Sequence, residues 1–378
     1  MTRLGVGIVG AGFMGEFHAR AYNALGRLYS DLPILLEPVV VCDVREEAAQ
    51  ALAKRWDIPH WTTDWATVVG DKAVDVVDIC TPPALHRPVA LAAIAARRRA
   101  VYCEKPVGLN ASETREMADA SRTAEIVSFV GFNYRWIPAI SLARQLINDG
   151  VLGDLVHVRI FKDTDSAADP ERENWRFFSD YAGGGSLADI GSHVFDMARS
   201  LVGDFTLVNG MTRIVIAERP FQGSRRAVDT DDLWMAMAEF AGGASGLFQG
   251  SRVLQGQKAD FSVEIFGTRG SLRWEQQRMN DLDLFEVQSD ALDGFKTIRL
   301  GPQHPDHGRF VPVRGHQLGF ADLKTIEVAR LAEILAGARA DSPNFDDALA
   351  VATIIDAVPR REWVRVGPDP RAIAGIRP

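Results

Sequence analysis

The stretch GIVGAGFMGEFHARAY, Gly7–Tyr22, decides the fold class of the first part of the chain. It follows a strand-like apolar run and opens a helical pattern, and its G-x-G-x-x-G glycines are Gly10, Gly12 and Gly15. Glycines at these positions permit a tight turn, close approach of a pyrophosphate and tight packing of helix on strand. The stretch therefore predicts a dinucleotide-binding Rossmann turn, in which Phe13 and Met14 are cofactor-contact candidates.

Strand-like and helix-like segments alternate from this turn to about residue 132. Apolar or β-branched runs recur in EPVVVCDV, AVDVVDICTP, AVYCEKPV and IVSFVGFNY, with helical patterns at 45–56, 84–96 and 112–124. Such alternation predicts a doubly wound parallel sheet covered by helices. Residues 1–132 are therefore interpreted as an α/β Rossmann domain that binds NAD(P).

The pattern of apolar and turn residues changes in the second part of the chain. From about 154 to 300, short apolar runs are separated by turn residues, and VHVRIF at 156–161 alternates at period two. This pattern predicts a large open, mainly antiparallel sheet with two different faces. Helical patterns at Ser186–Val202 and about Gly319–Ala336 accompany it. Residues 133–378 are interpreted as a C-terminal α+β domain for substrate binding and oligomerisation.

The composition excludes some classes of function. The chain has 378 residues, enough for two domains, and its net charge of -8 argues against binding to nucleic acid or anionic membrane surfaces. No apolar run approaches the roughly 18 residues of a membrane-spanning helix. Three widely spaced cysteines, Cys42, Cys80 and Cys103, fit a reducing cytoplasm better than a disulfide framework. Without a C-x-x-C pair they predict small buried residues, and we expect no metal ion.

The second predicted strand ends in an acid, Asp43. A carboxylate there would bind the ribose hydroxyls and repel a 2′-phosphate, which favours NAD over NADP. The connection LYSDLPILLEP makes its distance from the glycines longer than usual. Arg45 could stack on adenine or pair with a 2′-phosphate, so NADP stays open. Asp43 could also be a helix N-cap, and both interpretations can hold together.

Two further strand ends supply candidates. CTPPALH presents backbone to the crevice, where Thr81 and Pro82 are cofactor-contact candidates; His86 is a third, although it is more typical of a helix start or a surface residue than of a catalytic one. VYCEKPVGLN places Glu104 and Lys105 at the carboxyl edge of the parallel sheet, where such folds bind ligands. A rigid Lys-Pro bond, which can be cis, would aim the ammonium group of Lys105.

The helical pattern Ser186–Val202 carries an acid and an imidazole. Asp189 and His193, four residues apart, share a face that differs from the apolar stripe. A solvated pair that stabilises the helix is the alternative, and zinc is a third interpretation for which no further ligand is evident. The preceding Gly183–Gly185 would let a ligand come close.

Four segments together resemble the glucose–fructose oxidoreductase, inositol dehydrogenase and MocA family (Gfo/Idh/MocA) of sugar and polyol dehydrogenases: GIVGAGFMG, EKPVGLN, GFNYRW and GGGSLADIGSHVFDMARSLVG. ADPERENWRF and GPQHPDHGRF are most similar to levoglucosan and related glycoside 3-dehydrogenases. The resemblance implies that His193 is the general base for the substrate hydroxyl and that Lys105 stabilises the developing alkoxide. Asp189 would hold Lys105 or a neighbouring hydroxyl group.

Other substrate-contact candidates lie in GFNYRW and NWRF. Asn133 and Arg135 stand at the predicted domain junction, and Trp175 and Arg176 would line the sugar, the indole stacking on a pyranose face. Aromatic residues are more often part of the core.

The sequence thus predicts an NAD-dependent dehydrogenase that oxidises a secondary hydroxyl of a cyclic sugar, glycoside or polyol. The alternatives are an inositol 2-dehydrogenase-like polyol enzyme, an NAD-dependent redox glycosidase, and a non-catalytic dinucleotide-binding sensor. A sensor would not need Lys105, Asp189 and His193. The resemblance also implies a dimer or tetramer formed through the outer face of the second sheet.

Overall fold

A computed structural model describes residues 2–287, 291, 293–338 and 342–367. The chain forms two compact units: unit 1 comprises Met1–Trp136 and Gly319–Leu349, and unit 2 comprises Ile137–Leu318 and Ala350–Pro378. A late segment of the chain therefore belongs with the first unit. The functional division after residue 132 stays a prediction.

The first unit is built on a parallel sheet of six strands in the order β3-β2-β1-β4-β5-β6, which confirms the doubly wound α/β prediction. The order reverses between β1 and β4, the topological switch point where such sheets bind ligands. The strands are β1 (Thr2–Val9), β2 (Ile34–Cys42), β3 (His60–Thr62), β4 (Val76–Ile79), β5 (Ala100–Cys103) and β6 (Val127–Val130). The helices between them are α1 (Phe13–Leu28), α2 (Glu46–Arg55), α3 (Trp65–Gly70), α4 (His86–Ala95) and α5 (Ala111–Ala124).

The sequence predicts LYSDLPILLEP as a connection between the glycine turn and the strand before Asp43. This prediction is wrong for ILLEP, because strand β2 already begins at Ile34. Ile34 and Leu36 are buried and pair with β1, and the ladder shifts register between Pro38 and Val40. A proline inside a strand suggests a strand boundary, but this irregularity accommodates it. The short elements β3 and α3 were not predicted.

The second unit contains a nine-stranded sheet in the order β16-β15-β14-β13-β7-β12-β11-β8-β17, and a separate hairpin of β9 and β10. Only the pairing of β7 with β12 is parallel among the described strands of this unit, which confirms a mainly antiparallel sheet. The strands are β7 (Leu155–Asp163), β8 (Phe205–Arg213), β9 (Glu218–Phe221), β10 (Ser224–Ala227), β11 (Leu233–Phe240), β12 (Ser245–Ser251), β13 (Asp260–Gly267), β14 (Gly270–Glu275), β15 (Asp281–Glu286), β16 (Lys296–Arg299) and β17 (Val364–Arg365).

The period-two alternation predicted for residues 156–161 fails at one end of β7. Val158 and Ile160 are buried, whereas Val156 is exposed. The register with β13 pairs Leu155 and His157 and omits Val156, so an extra residue breaks the alternation there.

The remaining helices are α6 (Pro138–Asn148), α7 (Ser179–Ala182), α8 (Ser186–Asp189), α9 (Gly191–Val202), α10 (His307–Phe310), α11 (Phe320–Leu335) and α12 (Phe345–Ala357). The helix predicted over 186–202 is therefore interrupted at Ile190. Helix α9 packs on β7 and β12, and the Phe195 ring contacts those of Trp234 and Phe248. Among the helices described, none is long and apolar enough to cross a membrane.

Candidate functional site

Each of the three glycines of the Rossmann turn occupies its position for a different structural reason. Gly10 has φ +111°, and a Cβ there would lie 2.7 Å from the carbonyl of Cys80. A Cβ on Gly15 would lie 2.0 Å from the oxygen of Gly10, whereas one on Gly12 would meet no described atom within 4 Å. Helix α1 begins at Phe13 without a side-chain cap. Its first N–H groups and the open space at Gly12 therefore fit a pyrophosphate.

The Asp43 side chain is hydrogen-bonded to the main chain of this glycine turn. Its Oδ2 accepts a hydrogen bond from Ala11 N–H at 2.9 Å, and its Oδ1 accepts from Arg45 N–H at 3.0 Å, with Arg45 Nε 3.3 Å away. The N-cap of α2 is Arg45, so the N-cap explanation of Asp43 is wrong. The Asp43 carboxylate instead links the end of β2 to the glycine turn, and ribose binding by either residue stays a prediction.

The segment after β4 also has a feature that suits a ligand. The Thr81 hydroxyl is buried and has no hydrogen-bond partner in the described part of the chain. An orphaned buried hydroxyl is costly unless a ligand or water satisfies it. Together with the open space at Gly12, it supports a bound dinucleotide held by residues of this unit, with Phe13, Met14 and Pro82 remaining cofactor-contact predictions.

His86 lies at the start of α4, as predicted, but it is fully buried and not a surface residue. Its Nδ1 lies 2.9 Å from Pro106 O and its Nε2 lies 2.8 Å from Thr81 O, and burial lowers its pKa. Each ring nitrogen therefore lies within hydrogen-bond distance of a main-chain carbonyl, and the neutral imidazole donates to one of the two at a time. His86 therefore lies between the main chain at Thr81 and the main chain at Pro106, and it links these two segments.

Lys105 stands just past the end of β5, at the predicted edge of the sheet, and precedes a cis peptide bond to Pro106. Its N–H donates to Oε2 of Glu104 at 3.2 Å. Because His86 contacts the carbonyl of Pro106, side chains hold the main chain on both sides of this lysine. The predicted substrate contacts Asn133 and Arg135 are buried in the same unit, where Arg135 lies 3.6 Å from Asp347.

In the second unit, Asp189 ends α8 and His193 lies in the first turn of α9. The apolar stripe predicted for this segment is buried throughout, at Leu187, Ile190, Val194, Met197 and Leu201. Arg176 Nε lies 3.6 Å from Asp189 Oδ2, and its guanidinium lies 4.3 Å from the ring centroid of Trp175. The structure therefore groups Asp189 with Trp175 and Arg176, which the sequence singled out in a different segment.

Two adjacent acids that sequence reasoning missed support this group. Asp231 accepts hydrogen bonds from Gly185 N–H at 3.2 Å and Leu187 N–H at 2.8 Å, and burial raises its pKa to about 6. A Cβ on Gly185 would lie 2.0 Å from Asp231 O, so this glycine serves packing at the start of α8. The hypothesis that the glycines admit a ligand stays untested.

The second acid, Asp232, lies 2.8 Å from Arg252 Nε, and Arg252 donates to the carbonyl of Arg176 at 3.0 Å. Asp231 thus fixes the segment that carries Asp189, while its neighbour fixes the segment that carries Arg176. In the sequence, DTDD at 229–232 resembles an ordinary polar turn, which gave no signal of this role.

Two family models match the chain. The oxidoreductase family, NAD-binding Rossmann fold, matches residues 4–132, and the GFO/IDH/MocA C-terminal domain matches residues 140–273. Levoglucosan dehydrogenase of Pseudarthrobacter phenanthrenivorans is 36% identical over 97% of this chain and 99% of its own length. Inositol 2-dehydrogenase of Rhizobium meliloti is 29% identical over 74% of this chain and 77% of its own. A solved levoglucosan dehydrogenase complex with NADH and levoglucosan superposes with TM-score 0.93 at 36% identity, covering 97% of this chain and 100% of that one.

Proposed function

The chain belongs to the GFO/IDH/MocA family of NAD-binding oxidoreductases, and from this premise we propose that it oxidises a secondary hydroxyl of a levoglucosan-like anhydrosugar or a glycoside. The observation that carries the proposal is the 36% identity to levoglucosan dehydrogenase over 97% of the chain. Inositol 2-dehydrogenase matches a smaller share of the chain with lower identity, which makes a polyol the second candidate substrate.

The roles of the site residues follow from their chemistry. When bound, NAD+ supplies a nicotinamide ring that accepts a hydride. His193 takes the hydroxyl proton, since imidazole is the side chain best suited to exchanging protons near neutral pH. Lys105 donates a hydrogen bond to the reacting oxygen and stabilises its developing negative charge. The fixed main chain around Lys105 supports this task.

Substrate recognition is assigned to the group in the second unit. Asp189 accepts hydrogen bonds from sugar hydroxyls, and Arg176, held over Trp175, donates to sugar oxygens. The exposed guanidinium of Arg176 has donors left after its contact with Asp189. Asn133 and Arg135 are further proposed contacts, the latter with its charge balanced by Asp347.

The cofactor is NAD, and the finer proposal is that Asp43 makes the enzyme prefer NAD to NADP. Its carboxylate lies just past the end of β2, next to the glycine turn, where it disfavours the 2′-phosphate of NADP. We also propose a cytoplasmic enzyme, because the described cysteines form no disulfide. Assembly as a dimer or tetramer is supported by Met235, Met237 and Leu247, which are exposed on adjacent strands.

The experiment that tests this function is the rate of NAD+ and NADP+ reduction with levoglucosan, glucose, methyl glucosides, myo-inositol and scyllo-inositol. Turnover of levoglucosan or glycosides with NAD+ is the expected result. Turnover of inositols alone would assign the polyol function, and release of free sugar from a glycoside would indicate a redox glycosidase. NADH binding without turnover of any of these compounds would contradict the proposal and favour the sensor.

A further inference from the structure

A cluster of charged side chains is buried inside the first unit and has no part in the proposed chemistry. It joins α1, β4, β5 and α11, and its members are His18, Asp78, Tyr102, Glu104, Lys324 and Glu327. Burying this many ionisable groups is expensive unless they are paired. The pairing therefore indicates what the cluster holds in place.

Glu104 connects the cluster to the main chain of Lys105. Its Oε1 lies 3.0 Å from His18 Nε2 and 2.5 Å from Lys324 Nζ, while its Oε2 accepts the N–H of Lys105. One carboxylate oxygen thus faces two buried cations, and the other faces the main chain of the proposed catalytic lysine.

The charges in the cluster support this arrangement. Burial raises the pKa of Glu104, but Lys324 and His18 together bring it far below its usual range. Burial lowers the pKa of Lys324, which the carboxylates of Glu104 and Glu327 more than offset. Glu104 is therefore an ionised acceptor with two cationic donors. The Tyr102 hydroxyl donates a hydrogen bond of 2.5 Å to Oε2 of Glu327, which lies on α11.

A glycine makes room for this carboxylate. A Cβ on Gly131 would lie 2.6 Å from Glu104 Oε1, and the N–H of Gly131 donates to Cys103 O at 3.0 Å. Any side chain at 131 would have to displace Glu104 or the end of β6. A substitution here can therefore disturb Glu104 without removing a charge.

A metal ion is the other interpretation of part of the cluster, because donor atoms of His18, Asp78 and Cys80 lie within 4.8 Å of one another. Both nitrogens of His18, however, are engaged by Asp78 and Glu104. Burial raises the pKa of the Cys80 thiol, which disfavours the thiolate that a metal requires. Hydrogen bonding explains the geometry without an ion.

We propose that Glu104, held by Lys324 and His18, is a positioning residue that fixes the main chain of Lys105. Through Lys324, α11 then contributes to turnover. The proposal rests on the role given to Lys105 above.

The test compares Gly131→Ala, Lys324→Met and the double variant Glu104→Gln/Lys324→Met with Gly70→Ala. The last is a matched control, since a Cβ at Gly70 meets no described atom within 4 Å. We expect Gly131→Ala to lower kcat about tenfold or more with NADH affinity retained. The double variant should recover part of the thermal stability that Lys324→Met loses, because the charge of Glu104 is removed together with its lysine while Glu327 still lacks that partner, but it should not recover kcat.

The acetylation rate of Lys105, read by peptide mass spectrometry, is measured in the same proteins and does not need turnover. We expect this rate to change about threefold or more in Gly131→Ala and to stay the same in Gly70→Ala. If wild type has no sugar dehydrogenase activity, the proposed function fails and this rate alone decides the positioning role. Unchanged acetylation in Gly131→Ala, recovery of kcat in the double variant, or stoichiometric zinc in the purified protein would overturn the inference.

Discussion

His18 Nε2 lies 3.0 Å from Oε1 of Glu104, the residue directly before Lys105. On its other side the imidazole contacts Asp78 at 2.9 Å. Burial lowers the pKa of His18, but Asp78 and the two hydrogen bonds raise it to about 9. The ring is therefore protonated at neutral pH and joins α1 to the segment that carries the proposed catalytic lysine.

This pKa predicts how stability depends on pH. A folded pKa of about 9, against 6.5 for an exposed histidine, means that the stabilisation is fully present below pH 6.5 and is lost as pH rises through about 9. The difference corresponds to about 3 kcal/mol at most. Thermal denaturation from about pH 6 to pH 10 should show this fall, and His18→Gln should flatten it. An equally steep fall in the variant would exclude His18 as its source.

Asp43→Ala should relax the preference for NAD, since the carboxylate that disfavours a 2′-phosphate is gone. The ratio of kcat/KM for NAD+ to that for NADP+ should fall about tenfold. Overall cofactor affinity should fall too, because the bond to Ala11 in the glycine turn is lost. Asp43→Asn keeps an acceptor for that bond and serves as the control. An unchanged ratio would reduce Asp43 to a residue that only holds the turn.

Asp231→Asn should separate activity from stability. The raised pKa of about 6 means that ionised Asp231 costs stability, with the contribution present below about pH 4 and lost as pH rises through about 6. At about pH 8 the variant loses this cost but leaves one of the two N–H groups without an acceptor, so its stability should lie within about 1 kcal/mol of wild type. The value of kcat should fall about tenfold, because one hydrogen bond instead of two then holds the start of α8. The exposed Asp204→Asn is the control. Full activity in Asp231→Asn would refute its support of Asp189.

Arg176→Lys keeps the charge but loses the planar group held over Trp175. We expect KM for the sugar to rise about tenfold, with a smaller effect on kcat, in steady-state assays. Arg226→Lys is a matched control, because its guanidinium stacks at the same 4.3 Å on the ring of Phe178. Equal KM values for wild type and Arg176→Lys would remove Arg176 from substrate binding.

The sequence predicted the features that short-range patterns determine. The glycine turn, the strand that ends before Glu104 and the buried stripe of the helix with His193 are all set by residues close together in the chain. Helix α11 was predicted too, at Gly319–Ala336 against Phe320–Leu335 in the structure. Strand β3 was not, since three residues at a sheet edge carry little periodicity.

What the sequence could not predict depends on pairings between distant residues. Lys324 is hydrogen-bonded to Glu104 at a separation of 220 residues in the sequence, and Asp231 is hydrogen-bonded to Gly185 at a separation of 46 residues. A buried lysine in a helical pattern resembles a solvated one, and an acid in a turn resembles a cap. Only the fold brings these charges to their partners, which is why the sequence did not predict them, whereas the catalytic roles of Lys105, Asp189 and His193 stay predictions.

The measurement that tests the account most directly is the single-turnover rate of NADH formation from levoglucosan in wild type, Lys105→Met and the exposed control Lys72→Met, with NADH affinity measured by fluorescence. We predict that Lys105→Met slows this rate about 100-fold or more, because the developing alkoxide loses its cationic donor, while NADH affinity is kept. Lys72→Met should match wild type. A rate in Lys105→Met equal to that of wild type would contradict the role of Lys105 and the mechanism built on it.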